Sequence, residues 1–397
     1  MNVCVFLDHR FQRTPDGAYW TPTVHPYSFW TRYLTVFETV TVVARVTAVA
    51  EVERGALRAD GDRVQFAALP SYVGPWQFLT HAASARRAAL GAIGHSGAVI
   101  LRVSSGAANL IHPRLRSTGR PFGVEVINDP YEMFSPGTQT TRLRPLLRWL
   151  FPRRLRAQCR GACAAAYVTA GALQRRYPPA AGVFGTHYGD GELPASAFRE
   201  RPGPFGRVGA LPRVVTVAPL GHLNKATDVL IDALALSREQ GVDFRLDVVG
   251  DGRCRPVLEE QARRLGLTDR VFFAGNVPGV EAVREYLDRA DLFALPSRHE
   301  GLPRAMIEAM ARGLPCIGSD VGGIPELLAP EDMVARNDAA ALGVAVRGML
   351  GSAERMAASS RRNYARALEY GDEVLLGRRN EFFGRVRGAT ENWMLTP

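Results

Sequence analysis

Short apolar runs alternate with longer amphipathic stretches along the first half of the chain. The apolar runs predict strands at 2–7, 38–46, 64–69, 98–103, 122–127 and 165–169. Helical spacing of apolar positions predicts helices near 26–36, 76–92, 107–116 and 140–160, and 8–20 is interpreted as a polar loop. Alternation of this kind favours a parallel sheet that is covered by helices on both faces.

The same alternation returns in the second half of the chain. It predicts strands at 214–218, 244–249, 271–273, 292–295 and 315–319, with helices between them. The intervening segment 199–212 is rich in Pro and Gly, which is typical of a linker. We therefore predict an α/β protein with two Rossmann-like domains, 1–200 and 213–375, and a ligand cleft between them at the carboxyl ends of the strands.

Composition limits the class of protein. The 397 residues are 46% hydrophobic and 22% charged, which is typical of a soluble globular protein. No apolar run approaches the ~18 residues of a membrane span, and Asp8 comes too early for a signal peptide, so we expect a cytoplasmic location. The five cysteines are scattered and lack the spacing of a zinc site, so we expect reduced thiols and no metal.

The net charge of +10 leaves three kinds of partner open: nucleic acid, an anionic membrane or an anionic small molecule. Segment 141–160 interleaves seven arginines with leucines, Trp149 and Phe151, as a basic interfacial helix does. An ordinary solvated face is the other interpretation. No nucleic-acid-binding signature is present. Anionic small molecules are therefore expected partners, and a peripheral contact of 141–160 with the inner face of the membrane stays open.

Segment 291–326 carries the strongest chemical pattern. A buried strand ends at Leu295, Pro303 stands where a helix should begin, and Gly313 ends that helix. Glu300 precedes the helix, and Glu308 lies about 7 to 8 Å along it at ~1.5 Å per residue. The free amides at the start of the helix attract an anion, so a diphosphate there would have a hydroxyl-binding carboxylate on each side. A nucleotide sugar has this layout.

These residues carry a resemblance to a known family. Glu300 and Glu308, with Gly301, Pro303, residues 309–311 and 313–315, the Gly-Gly pair at 322–323 and Glu326, resemble the donor-site signature of retaining glycosyltransferases of family 4. We expect Glu308, Gly301, Leu302 and Pro303 to bind the donor. The resemblance implies the GT-B fold, with a final helix in 376–397 that crosses back to the first domain. It also implies transfer of a sugar from a nucleoside diphosphate sugar to an acceptor hydroxyl. The competing interpretation is a generic βα unit in which Glu308 is a solvated helix residue.

The chain has a single lysine, Lys225, which follows the strand at 214–218. Many members of the resembled family carry an arginine at the position of Pro219, then a lysine and a glycine, whereas here Ala226 replaces that glycine. We predict that Lys225 binds the donor diphosphate and stabilises its charge as it departs, supplemented by Arg298 or Arg304. The alternative is a solvated residue at a helix start.

Four further residues are candidates for donor binding. Gly250 and Gly252 follow the strand at 244–249, Val277 follows the strand at 271–273, and Gly17 lies in the loop after the first strand. In the resembled family these loops lie near the nucleotide. Plain turn chemistry explains such residues equally well.

The acceptor side is less well marked. The histidine that family members often carry after the strand at 122–127 is missing, so Asp129 is the candidate that positions or deprotonates the acceptor hydroxyl, against an Asp-Pro turn. His187 and His299 are alternatives. The Asp-Gly-Asp pattern at 60–62 is interpreted as a turn rather than a metal site. No carboxylate is an obvious nucleophile, which favours same-face attack assisted by the leaving diphosphate.

We therefore predict a retaining, metal-independent glycosyltransferase with no cofactor and Glu300, Lys225 and Asp129 at its catalytic centre. The acceptor is a cell-envelope or exopolysaccharide glycan, a lipid-linked sugar or a small natural product. The rivals are a degenerate GT-B protein that only binds sugar nucleotides or an anionic surface, and a nucleotide-sugar epimerase or phosphorylase. A pyridoxal-dependent phosphorylase would need a Schiff-base lysine, and the only lysine lies at the diphosphate position.

Overall fold

The computed structural model describes the whole chain except residues 23, 54, 95–96, 136–140, 192, 201–210 and 397, and the side chain of residue 75. The described residues form two compact units. The first comprises Met1–Tyr188 and Leu376–Pro397, and the second comprises Gly189–Leu375. Most of the predicted linker at 199–212 lies outside the described residues.

The first unit is built on a mostly parallel sheet. Its described strands are β1 (Asn2–Arg13), β2 (Tyr19–Thr21), β3 (Thr39–Ala48), β4 (Leu57–Arg58), β5 (Val64–Pro70), β6 (Ala98–Val103), β7 (Gly123–Val126), β8 (Ala164–Tyr167) and β9 (Phe184–His187). The parallel strands follow the order β5-β3-β1-β6-β7-β8-β9. Their near-continuous apolar sequences are fully buried in β6, β7 and β8, as expected for strands covered on both faces.

The prediction of a polar loop at 8–20 is wrong at both ends, since only 14–18 lies outside a strand. Strand β1 continues to Arg13 and pairs in antiparallel fashion with β2, which in turn pairs with β4. Polar residues on either side of Phe11 conceal the strand in the sequence, but the Phe11 side chain is fully buried and its ring lies 4.8 Å from the ring of Phe66. Burial of one aromatic ring therefore outweighs the polarity of its neighbours.

The helices of the first unit are α1 (Tyr27–Thr31), α2 (Gly74–Ile93), α3 (Gly106–Ser117), α4 (Pro130–Met133), α5 (Arg144–Gly161) and α6 (Ala172–Arg176). The predicted helix at 26–36 is instead the short α1 followed by a 3-10 turn, Arg32–Thr35. Ser105 caps α3, since its hydroxyl accepts a hydrogen bond of 3.0 Å from the amide of Ala108.

A charged group lies in the core of the first unit. The Glu125 carboxylate on β7 pairs with Arg102 on β6 at 2.8 Å, and both side chains are at most 3% exposed. The hydroxyls of Tyr33 and Tyr188 each donate to Glu125 at 2.7 Å. The Arg102 guanidinium also lies 5.0 Å from the centre of the Phe29 ring. Both charges of this buried pair thus have a partner, which offsets the cost of burying them.

We predict that Glu125→Gln destabilises the protein by ~3–5 kcal/mol, since it leaves the Arg102 guanidinium buried without a counter-charge. Urea denaturation followed by circular dichroism measures the change. As a control, Glu381→Gln breaks an ion pair of 3.7 Å with Arg385 whose side chains are more than half exposed. That change should stay within ~1 kcal/mol. Equal effects of the two substitutions would contradict the prediction.

The second unit contains a fully parallel sheet. Its described strands are β10 (Arg213–Val217), β11 (Arg245–Val249), β12 (Val271–Gly275), β13 (Leu292–Leu295), β14 (Cys316–Ser319) and β15 (Met333–Val334), in the order β12-β11-β10-β13-β14-β15. Its helices are α7 (Thr227–Glu239), α8 (Arg255–Arg264), α9 (Gly279–Arg289), α10 (Arg304–Ala311), α11 (Ala339–Leu350) and α12 (Ala353–Leu368). A last helix, α13 (Asp372–Leu395), begins here, and its residues from Leu376 group with the first unit.

Both faces of this sheet are covered. Successive residues of β13 enter opposite hydrophobic cores: Leu292 and Ala294 lie in the core that includes α7 and α11, whereas Phe293 and Leu295 lie in the core that includes α10. This alternation explains why the strand reads as a continuous apolar run. The prediction of an α/β fold with parallel sheets is confirmed.

The strand order contains a switch point. From β10 the chain moves to one side through β11 and β12, then returns to build β13, β14 and β15 on the other side. Strands β10 and β13 are neighbours in the sheet, but the connection after β10 leads to one side of the sheet and the connection after β13 leads to the other side. In open α/β sheets a ligand crevice forms at this place, at the carboxyl ends of the strands.

Candidate functional site

Lys225 and Glu300 meet at the switch point. Lys225 ends the 3-10 turn Leu223–Lys225 that follows β10, and Glu300 lies in the loop at 296–303 that follows β13. The Lys225 ammonium donates to Glu300 Oε1, and the Ser297 hydroxyl donates to the same oxygen at 2.8 Å. Glu300 is only 7% exposed, and within the described residues its Oε2 accepts no hydrogen bond.

Arg298 ties the turn of Lys225 to the loop of Glu300. Its guanidinium forms two bonds of 2.8 and 2.6 Å with Asp228 on α7 and one of 2.6 Å with the carbonyl of Leu223. Its amide donates to the carbonyl of Asn224 at 2.7 Å. These contacts give Arg298 a structural role, because a planar guanidinium that already binds a carboxylate in this way has little freedom to bind a diphosphate.

Ala226 occupies a backbone conformation that favours glycine. Its φ of 53° and ψ of 41° place it in the left-handed region, directly before α7. This geometry gives a physical reason for the glycine that the resembled family has at this position. The Ala226 side chain is fully buried against the core that includes α7, so apolar packing offsets the cost of the backbone conformation.

The loop after β14 packs against the backbone of Glu300. Gly322 has a φ of +57°, and a Cβ added there would lie 2.2 Å from the carbonyl oxygen of Glu300. The amide of Gly323 donates to the carbonyl of Gly301 at 2.7 Å. Gly322 is therefore required for the position of the carboxylate, although the sequence singled it out only as part of a pattern.

Helix α10 begins one residue later than predicted. Pro303 is its N-cap rather than its first helical residue, and Gly301 and Leu302 precede it in the loop. Glu308 lies on this helix with its side chain 18% exposed, and Arg304 approaches it at 3.8 Å. Burial raises the pKa of the Glu308 carboxyl, and the charges of Arg304 and Arg284 oppose that rise. Glu308 is therefore not a freely solvated helix residue.

Gly250 and Gly252 allow two loops to touch. Gly250 has a φ of +138°, and a Cβ added there would lie 2.1 Å from the Ala218 carbonyl oxygen. Gly252 has a φ of +155°, and a Cβ added there would lie 2.3 Å from the Leu220 carbonyl carbon. The Leu220 amide also donates to the carbonyl of Asp251 at 2.9 Å. The structure thus gives both glycines a packing role, and donor binding by them stays a prediction.

Val277 lies in the connection between β12 and α9. It is half-buried and packs against the core that includes α10. Arg255, which stands where a dinucleotide-binding loop would have its third glycine, bonds Asp251 at 3.1 Å and Glu259 at 2.7 Å. The structure gives Val277 and Arg255 packing and ion-pair contacts, and a contact of Val277 with a nucleotide stays a prediction.

In the first unit, both carboxylate oxygens of Asp129 are engaged. Oδ1 accepts from the Tyr131 amide at 2.9 Å, which caps α4, and from the Tyr177 hydroxyl at 2.5 Å. Oδ2 pairs with Arg176. Burial, followed by the charge of Asp129, raises the pKa of Tyr177. These contacts favour a structural turn at Asp129, and a role toward an acceptor stays a prediction.

Gly17 lies in the turn between β1 and β2, where its amide donates to the carbonyl of Thr14 at 2.9 Å and its φ is +87°. This is a hairpin turn at the end of a longer strand than the sequence predicted. Asp60, from the Asp-Gly-Asp pattern, pairs with Arg58 at 2.5 Å and accepts from the Tyr19 amide at 3.1 Å.

Two histidines were alternatives to Asp129. His187 is the last residue of β9, and His299 directly precedes Glu300.

Across the described parts of the chain, no group of three or more His, Cys, Asp or Glu side chains has the geometry to hold a metal ion.

Comparisons with known proteins agree with this architecture. Residues 211–352 match the family described as glycosyl transferases group 1. The chain is 23% identical to Protein CapJ of Staphylococcus aureus over 347 residues, which is 84% of each protein. It is 38% identical over 138 residues to the putative colanic acid biosynthesis glycosyltransferase WcaL of Escherichia coli, which is 32% of this chain and 34% of WcaL.

Solved structures match over nearly the whole chain. Sucrose-phosphate synthase from Thermosynechococcus elongatus superposes with a TM-score of 0.70 at 17% identity, covering 98% of this chain and 100% of that one. Anabaena HepE, in complex with UDP-glucose, gives a TM-score of 0.65 at 16% identity over 98% of this chain and 100% of HepE. The fold is therefore that of GT-B glycosyltransferases.

The class of protein follows from these findings. The chain is a glycosyltransferase, with homologues among the group 1 glycosyltransferases. The matched residues 211–352 include the turn of Lys225, the loop of Glu300 and helix α10.

We predict that Gly322→Ala lowers both activity and stability, because a methyl group cannot fit 2.2 Å from the Glu300 carbonyl oxygen. The loop of Glu300 must then shift, and the measurement is initial rate together with the midpoint of thermal unfolding. Gly384→Ala in α13 is the control, since an added Cβ there meets no atom within 4 Å. It should be neutral or stabilising by up to ~1 kcal/mol. Normal activity in Gly322→Ala would show that the loop does not position Glu300.

Proposed function

We propose that the protein transfers a sugar, with retention of anomeric configuration, from a nucleoside diphosphate sugar to an acceptor hydroxyl without a metal ion. The observation that carries this proposal is the pairing of Lys225 with Glu300 at the switch point of a parallel sheet, directly before helix α10. A cation and a helix N-terminus bind the negative charge of a diphosphate, and an acidic side chain accepts hydrogen bonds from the hydroxyls of a hexose.

The donor diphosphate binds Lys225 and the first amides of α10. The only lysine of the chain is paired with Glu300. A diphosphate brings negative charge to the same place, and the lysine, with its side chain 26% exposed, is accessible to it. Fixed positive groups stabilise the charge that grows on a departing diphosphate and are among the largest contributions to catalysis.

Glu300 and Glu308 bind the two sugars of the donor. Glu300 Oε2, which accepts no hydrogen bond among the described residues, is available to a hydroxyl of the transferred sugar. Glu308 accepts hydrogen bonds from the ribose hydroxyls. A carboxylate is suited to this because its two oxygens can accept from two adjacent hydroxyls.

The transfer occurs on one face of the sugar. The acceptor oxygen bonds to the anomeric carbon as the bond from that carbon to the diphosphate oxygen breaks. The acceptor proton passes to the departing diphosphate. Ser297 and Lys225 both donate to Glu300, so its carboxylate is held in place and is a poor nucleophile for a covalent route.

The names of relatives support a donor and an acceptor class. The crystal structure of HepE is a complex with UDP-glucose, which supports a UDP-sugar donor. WcaL is named for colanic acid biosynthesis, which supports a polysaccharide acceptor.

Donor turnover separates this proposal from a protein that only binds sugar nucleotides. The protein should release UDP, GDP, ADP or dTDP from one of the matching sugar donors, in buffer with EDTA, when a glycan acceptor is supplied. Binding without release would favour the degenerate protein, and isomerised donor would favour an epimerase.

We predict that Lys225→Met lowers kcat by ~10²–10³-fold, because one group that stabilises the diphosphate charge is lost. The affinity for UDP should fall while that for uridine stays unchanged, which isothermal titration calorimetry measures. Lys225→Arg should recover part of the loss. The matched control is Arg289→Gln, which removes an exposed positive charge of the same unit. An equal loss of affinity for UDP and uridine would contradict a diphosphate contact.

We predict that donor affinity falls on acidification in the wild type. Burial raises the pKa of Glu308, so its carboxylate takes up a proton at higher pH than an exposed glutamate does and then accepts fewer hydrogen bonds. Glu308→Gln should bind donor ~10–100-fold more weakly, the equivalent of losing a charged hydrogen bond, and should lack this pH dependence. Glu285→Gln, at an exposed ion pair, is the control. A pH dependence that persists in Glu308→Gln would assign it to another group.

A further inference from the structure

One segment of the first unit carries positive charge alone. From Met133 to Gly189 the sequence contains nine arginines and no Asp or Glu. Seven of these arginines lie in 142–160, almost entirely within α5. Charge elsewhere in the chain is mixed, with 39 acidic residues in total. Acidic side chains are therefore excluded from this stretch rather than rare in the protein.

Helices α4 and α5 form a basic pocket of about 460 Å³. Four arginines line it together with two aromatic side chains: Arg144, Arg148, Arg153, Arg156, Tyr131 and Trp149. No acidic residue is among the lining residues. The pocket thus offers guanidinium groups, which bind phosphate oxygens in pairs, against an aromatic wall.

Local contacts fix the directions of three of these arginines without neutralising them. Arg148 lies 4.0 Å from the centre of the Tyr131 ring and donates to the Tyr131 carbonyl at 3.2 Å. Arg153 lies 4.1 Å from the centre of the Trp149 ring, and Arg156 donates to the Arg176 carbonyl at 3.1 Å. Among the described residues, no carboxylate pairs with the four arginines of the pocket, in contrast to Arg102, Arg298 and Arg312.

The outward face of α5 is apolar at its start. Leu146 and Trp149 are each 54% exposed, whereas Leu155 and Cys159 on the opposite face are fully buried. Along the same outward face the helix continues with exposed Arg153 and Arg160. An exposed aromatic and an exposed leucine beside arginines are typical of a helix that lies in the interface of a bilayer.

No helix in the described part of the chain is both long enough and apolar enough to cross a membrane.

We propose that α5 docks on the surface of an anionic lipid bilayer. Leu146 and Trp149 insert at the boundary of the acyl chains, and the pocket around Arg148 takes a lipid phosphate. Charge complementarity selects this occupant, because the segment has nine arginines and no acidic side chain, and among the described residues only Arg176 of the nine pairs with a carboxylate. A soluble phosphate compound would contact the pocket and its Trp149 wall but would leave the exposed Leu146 uncovered, whereas a bilayer surface covers both side chains. This proposal is independent of sugar transfer.

Vesicle flotation tests the proposal on the full-length protein. We expect binding to vesicles of phosphatidylcholine with about one third phosphatidylglycerol, at least tenfold weaker binding to phosphatidylcholine alone, and loss of binding at high salt. The double variant Arg148→Gln/Arg153→Gln should lose at least tenfold in vesicle affinity. Arg86→Gln/Arg87→Gln in α2 is the matched control, since it removes two exposed charges of the same unit and should bind nearly as the wild type does.

Tryptophan fluorescence identifies the contact. Phosphatidylcholine brominated in its acyl chains should quench the emission of the vesicle-bound protein, and Trp149→Phe should remove most of that quenching. Trp76, which is 70% exposed at the start of α2, is the competing source. Quenching that is kept in Trp149→Phe and lost in Trp76→Phe would overturn the proposal.

A second arm separates a lipid phosphate from a soluble one. Inorganic pyrophosphate at millimolar concentration should only weaken vesicle binding. Saturable pyrophosphate binding that depends on Arg148, with no vesicle binding under any condition, would assign the pocket to a soluble ligand. Self-association through α5, detected by sedimentation and abolished by Leu146→Ser, would assign the face to a second copy of the chain. Either result would overturn the proposal.

Discussion

The second unit depends on one electrostatic constraint. Because Glu300 is buried, its charged side chain needs a partner inside the protein. Lys225 supplies the opposite charge and Ser297 a further hydrogen bond. Because the two charged residues come from connections that leave neighbouring strands, their pairing holds the switch point of the sheet in one arrangement. Arg298 adds a second ion pair between the same connections. These two ion pairs thus fix the positions of the residues at the candidate site.

Close backbone contacts give this arrangement its rigidity. Gly322 lets one loop lie against the backbone of Glu300, and Gly250 and Gly252 let the loop after β11 lie against the loop after β10. A side chain at any of these positions would overlap backbone atoms, which cannot move aside as a flexible side chain can. Pre-organisation of this kind is what electrostatic stabilisation of a leaving diphosphate requires, since the charged groups then need not reorganise during the reaction.

The first unit handles charge in two different ways. In its core, Arg102 is fully neutralised by Glu125, and two tyrosine hydroxyls complete the hydrogen bonding of that carboxylate. On its surface, the arginines of α5 contact aromatic rings and backbone carbonyls instead of carboxylates. An arginine that is paired with a carboxylate therefore stabilises the core, whereas the arginines of α5 without a carboxylate create a positive electrostatic potential at the surface.

The sequence by itself determined the α/β class and nearly every strand of the parallel sheets, because a strand buried on both faces is apolar at most of its positions. It also pointed to Glu300, Glu308 and Lys225, whose types and spacing are local properties. It failed at β1 beyond Asp8, where Phe11 is the only buried side chain and the remaining residues are polar. Only the tertiary structure decided which residues touch. The pairing of Lys225 with Glu300 and the engagement of Arg298 and Asp129 by partners join residues far apart in the chain. No local pattern encodes such contacts, because they arise from the order of strands in the sheet and from the packing of one loop on another.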